Sequence, residues 1–65
     1  MKLAVDIIIK AQDFLINRYG EEGYKTLINK VKEKTHNDPT VLLGMLQDET
    51  LKADIRLVVL ASFGE

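Results

Sequence analysis

Between Val5 and Ile16 the chain reads VDIIIKAQDFLI, with three consecutive isoleucines that no single face of a helix or strand buries together. At about 100° per residue, with Ile7 as origin, Ala4, Ile8, Ala11, Phe14, Leu15 and Arg18 fall on one broad face with it. Asp6, Lys10, Asp13 and Asn17 gather in a narrow wedge on the other side. The spacing predicts an amphipathic helix from about Leu3 to Arg18, stopped by Gly20. A strand is the rival reading, because Leu3, Val5, Ile7 and Ile9 also alternate with Lys2, Ala4, Asp6 and Lys10, and β-branched residues favour strands.

Further along, Tyr24, Leu27, Ile28 and Val31 keep the i, i+3, i+4, i+7 spacing among polar neighbours, which predicts a second helix over about Glu21 to Lys34. Glu21 and Glu22 open it and Lys30, Lys32 and Lys34 close it, the order that complements the helix dipole. THNDP, Thr35 to Pro39, is a break, with Asp38 as N-cap and Pro39 at the first helical position of a third helix. That helix, to Gln47, can put Leu42, Met45 and Leu46 on one face, and Gly44 weakens it. DET at Asp48 to Thr50 offers another cap, so a fourth helix is expected from Glu49 to about Phe63, ending at Gly64. Here too Ile55, Leu57, Val59, Ala61 and Phe63 alternate as in a strand. The expected fold is therefore all-α, a compact bundle of three to four short helices in a single domain spanning residues 1–65. The alternative is a small α+β domain in which the terminal segments pair as strands.

Both terminal segments carry more apolar surface than one face holds. Val5, Ile9 and Ile16 lie about 160° to 200° from Ile7, forming a second stripe. In the last helix Leu51, Ile55, Val58, Val59 and Phe63 face one way, while Ala53, Leu57 and Leu60 face the other. Either the first helix is a hub surrounded by the others, or Val5, Ile9, Ile16, Leu57 and Leu60 form a partner interface. A chain of 65 residues has difficulty surrounding even one helix. Its core is thin, and with no cysteine it has neither disulfides nor thiolate metal sites to supplement it. Self-association or a partner is the natural supplement.

The remaining composition narrows function more than it defines it. Apolar residues at 46% and charged ones at 29% describe a globular chain. A net charge of −1 supplies no global field toward nucleic acid or an anionic membrane. The longest apolar run, LVVLA from Leu57 to Ala61, is far short of the roughly 18 to 20 residues of a membrane span. Asp6 interrupts any signal-peptide core in MKLAVDIIIK, so a cytoplasmic location is expected.

Candidate chemistry is sparse. His36 falls in a polar connector and Ser62 near the end of an apolar helix, a poor start for nucleophilic catalysis. Asp6 and Asp13 share a helix face and read best as a solvated surface. Asp38, Asp48 and Glu49 sit where caps belong and lack calcium-loop spacing, and GEEG at Gly20 to Gly23 would repel phosphate. The chain is expected to be no enzyme and to take no metal or cofactor. One local bias remains: Lys25, Lys30, Lys32 and Lys34 oppose Glu33 alone between residues 25 and 36, whereas Asp38, Asp48, Glu49 and Asp54 outweigh Lys52 thereafter. Those four lysines are candidate phosphate contacts in a domain of helix-turn-helix size. Against that, the short third helix has no Arg, Lys or Asn to read bases. The favoured expectation is a small acidic protein-recognition module, a subunit, adaptor or inhibitor that forms homo-oligomers or docks on a larger protein. Lys10, Arg18 and Arg56 would set its orientation. Small helical DNA binding through the Lys25 to His36 segment is the alternative.

Overall fold

The computed structural model describes residues 4–65, and these form three helices: α1 Val5–Thr35, α2 Pro39–Leu46 and α3 Ala53–Ser62. No strand occurs among the described residues, so the paired-strand alternative is set aside; the helix start expected at Leu3 lies outside them. A straight helix of the 31 residues in α1 would measure about 46 Å, yet the longest dimension of the molecule is 27 Å. The chain turns at Gly20, whose φ of 76° and ψ of 168° leave the helical region. That conformation is essentially reserved for glycine, because a Cβ would clash with the local backbone. Two helical arms result, residues 5–19 and 21–35, divided at the residue where the sequence predicts the break.

The core lies where the two arms meet α3. Ala11 and Leu15 from the first arm, Tyr24 and Ile28 from the second, and Val58 and Ala61 from α3 form one buried cluster, with Ile16, Leu27, Val31, Leu57 and Leu60 along its margin. The second arm thus buries the stripe expected of it. The first arm does so only in part, burying Ala11 and Leu15 and half-burying Ile8 while Ala4, Ile7, Phe14 and Arg18 stay exposed. Its inward arc runs from Ala11 through Leu15 and Ile8 to Ile16, so the expected face, which extends from Phe14 to Ile8 with its centre about 40° from Ile7, is displaced by roughly 60° to 70°. Small residues lie on that arc and opposite it: Ala11 of the arm and Ala61 of α3 are both buried in the one cluster. The three isoleucines accordingly divide. Ile8 packs beneath the backbone of Gly64, where a Cβ would collide with Ile8 and with the Gln12 side chain. Ile7 and Ile9, 50% and 48% exposed, stand out on either side, and with Val5 and Phe14 at 66% and 47% they rule out a surrounded hub.

Helix ends follow local chemistry. His36 and Asn37 both take left-handed conformations, each with φ of 54°, and the Asn37 N–H donates to the Lys32 carbonyl at 3.1 Å to close α1. Asp38 caps α2 as its position predicts, its Oδ1 accepting from the Thr40 N–H at 2.9 Å with Pro39 at the first helical position.

The last helix departs from expectation, beginning at Ala53 instead of Glu49. Asp48 caps a turn and no helix: its Oδ1 accepts both the Thr50 N–H at 2.9 Å and the Thr50 hydroxyl at 2.6 Å. These bonds hold its carboxyl below the usual range. The turn closes through the Leu51 N–H on the Asp48 carbonyl, and the chain then runs extended through Lys52. α2 packs on α3; Leu42 is the buried residue of α2, and α3 buries Val58, Val59, Ala61 and Ser62. Of the set expected to share one face of the last helix, Val58 and Val59 are buried, whereas Ile55 is 40% exposed.

Candidate interaction site

The five residues expected at a partner interface do not form one surface of equal exposure. Val5 and Ile9 stand free on the first arm. Ile16, Leu57 and Leu60 are half-buried and pack on the core margin. Leu57 and Leu60 also line a shallow cleft of about 340 Å³ with Leu46, Ala53 and Arg56. The Arg56 side chain lies along that cleft with its Nε buried and without a hydrogen-bond partner. Ile7 and Phe14, expected in the core, belong with Val5 and Ile9 among the exposed apolar side chains. They occupy the opposite edge of the buried arc.

A second concavity, about 300 Å³, was not legible in the sequence. Leu27, Lys30, Val31 and Lys34 of the second arm form one wall; Met45 of α2, Leu51 of the connection, and Ile55 and Val58 of α3 form the other. Leu27 and Val31 supply the apolar part of the wall, and Lys30 and Lys34, one turn apart and exposed, stand at the rim. Lys25 and Lys32 lie on the opposite side of the same arm, roughly 190° around it from Lys30 and Lys34. The four lysines expected as phosphate contacts are therefore two pairs facing different ways, and Lys30 and Lys34 are the pair that lines this cavity. The spacing of residues 27, 30, 31 and 34 was visible in the chain. Nothing in the sequence paired them with Met45, Leu51 and Ile55.

A polar cluster bridges the other end of the bundle. Gln12 Nε2 donates to the Ala61 carbonyl at 3.3 Å and to Glu65 Oε1 at 3.2 Å, and the Tyr24 hydroxyl donates to the same Glu65 oxygen at 2.7 Å. Burial, followed by the hydrogen bond to Glu65 and the charge of Glu65, pushes the Tyr24 hydroxyl up to about 12. The cluster ties both arms to the end of α3. Ser62, buried, donates to the Val59 carbonyl at 2.6 Å. His36 is exposed at the end of α1, and Asp6 and Asp13 are exposed on the first arm. Among the described residues no group of three or more His, Cys, Asp or Glu side chains is placed to hold a metal ion. No helix among them is long and apolar enough to cross a membrane.

No protein-family model, no curated protein sequence and no solved structure matches the chain. The surfaces themselves are what remains to carry a functional reading.

Proposed function

We propose that this chain is a small, non-enzymatic protein-recognition module that works in the cytoplasm by burying an apolar surface against another polypeptide, as a self-associating subunit, an adaptor or an inhibitor. The observation that carries the reading is the first arm: Val5, Ile7, Ile9 and Phe14 are all about half exposed or more within three turns of helix. They form two edges on opposite sides of the arm, Val5 with Ile9 and Ile7 with Phe14, and exposed apolar surface of this kind on a small protein is surface that something covers. Leaving it wet forgoes about 25 cal/mol for each Å² that could be buried, roughly 1 kcal/mol per half-exposed side chain. Charged side chains at its edges, Lys10 and Arg18 among them, would orient the partner more than hold it.

Duplex DNA finds less support. Lys25 and Lys32 turn away from Lys30 and Lys34, and α2 contains no basic residue to enter a groove.

The reading is tested by placing a photo-crosslinking residue at Ile9 or at Phe14 and irradiating cells that express the chain. The expected result is a covalent protein adduct at both positions, absent when the same residue replaces the exposed Glu33. Crosslinking at Ile9 and Phe14 no greater than at Glu33 would refute it.

A further inference from the structure

Among the surfaces left uncovered after the helices have packed, two are opposite in charge. One edge of the first arm carries Val5 and Ile9, both exposed, with Asp6 and Asp13 exposed beside them about 40° to 60° farther round. The groove between the second arm and α3 is apolar inside and carries Lys30 and Lys34 at its rim. No residue of the first arm lines that groove, so the molecule cannot fill it with its own edge in this fold.

We infer that the groove is the seat for the Val5 to Ile9 edge of a second copy of this chain, with Asp6 and Asp13 facing Lys30 and Lys34. This rests on the protein-recognition reading above and adds the occupant, the acceptor and the charges that align them. Asp6 and Asp13 are two turns apart, about 10 Å, and Lys30 and Lys34 one turn, about 6 Å; the long lysine side chains span the difference. Charge also selects which edge docks. Ile7 and Phe14 run beside Lys10 and Arg18, so seating that edge would bring four cations together. The Val5 to Ile9 edge brings two carboxylates to two ammonium groups. Ile55, exposed on the groove wall, would be covered by Ile9 and Val5. Because donor edge and acceptor groove are different surfaces, two copies can exchange both contacts or a chain of copies can grow from one, and the contact is the same in either case.

The experiment is a charge swap read by light scattering coupled to size exclusion, from micromolar to millimolar protein at low and high salt. Wild type is expected to associate with increasing concentration and to dissociate as salt screens the pairs. One variant carries Asp6→Lys and Asp13→Lys, the other Lys30→Glu and Lys34→Glu. Each alone sets like charges against each other and should bind itself at least about tenfold more weakly. Mixed, the two variants restore opposite charges at both contacts, and association should return to the wild-type level. All four positions are exposed, and circular dichroism checks that each variant is folded. If a reversed variant fails to fold, Asp→Asn and Lys→Gln at the same positions should each weaken association. A wild-type protein that stays monomeric to millimolar concentration overturns the inference, while a foreign adduct at Ile9 in cells would still uphold protein recognition. Association that the charge variants leave unchanged, or that mixing does not restore, also overturns it and moves the self-contact elsewhere, to the Ile7 and Phe14 edge or the Arg56 cleft.

Discussion

Replacing Gly20 with alanine isolates the bend on which the bundle depends. At φ 76° and ψ 168° the backbone sits in a region that residues with a Cβ essentially do not occupy, at a cost of about 1 to 3 kcal/mol. A Cβ built there meets nothing within 4 Å, so the penalty is local backbone strain alone, with no packing clash added. In a domain of this size each kcal/mol moves the midpoint by roughly 4 to 8 °C, so Gly20→Ala should melt about 5 to 20 °C below wild type. Escape by straightening α1 is no remedy, because it would part Ala11 and Leu15 from Tyr24 and Ile28 and open the core. Gly44→Ala is the matched control. Gly44 is exposed inside α2, and a Cβ there also meets nothing within 4 Å. At that position alanine should stabilise by about 0.5 to 1 kcal/mol through helix propensity. Thermal and urea unfolding followed by circular dichroism reads both variants. A Gly20→Ala protein that melts at or above wild type, or a Gly44→Ala protein that falls as far, would refute the argument that backbone conformation at residue 20 creates the two arms.

Two further outcomes follow from the hydrogen bonds. Tyr24 keeps its proton to about 12 in the fold but loses it near 10 when unfolded, so its contribution is complete below about pH 10 and is lost as pH rises toward 12. The difference between wild type and Tyr24→Phe in urea unfolding should therefore shrink by on the order of 1 to 2 kcal/mol between about pH 8 and about pH 12, after allowing for solvent screening at the exposed Glu65. Parallel pH profiles for the two proteins would show that the bond to Glu65 does not govern the titration. Asp38→Ala removes the acceptor for the Thr40 N–H and should cost about 1 kcal/mol, with Asp38→Asn recovering most of it; equal stability of all three would remove the cap from the account.

Some signals that act over only a few residues are legible in the chain. Gly20 breaks the first helical stretch because only glycine takes its backbone conformation, and Asp38 with Pro39 starts α2 because a carboxylate and a missing N–H suit a helix N-terminus. Tyr24 and Ile28 are legible as core because their arm is polar elsewhere, so its apolar stripe has a single inward orientation. Asp48 shows the limit of such signals. The same carboxylate suits a helix cap or a turn, and Thr50, offering both its N–H and its hydroxyl, decides for the turn.

The first arm was legible as a helix but not in its rotation about its own axis. With apolar side chains nearly all round, its own burial is nearly indifferent to rotation, and the packing of Ala11 and Leu15 into one cluster with Ala61 and of Ile8 beneath Gly64 selects one arc. That selection exposes Ile7 and Phe14 on one side and Val5 and Ile9 on the other. The groove is likewise a tertiary product, since its walls come from residues as distant in sequence as Leu27 and Val58. Helix positions and breaks were thus determined by the sequence itself, through backbone conformation and capping that act over a few residues. Which apolar faces meet and which remain for a partner was decided by packing between segments far apart in the chain, which no local pattern contains.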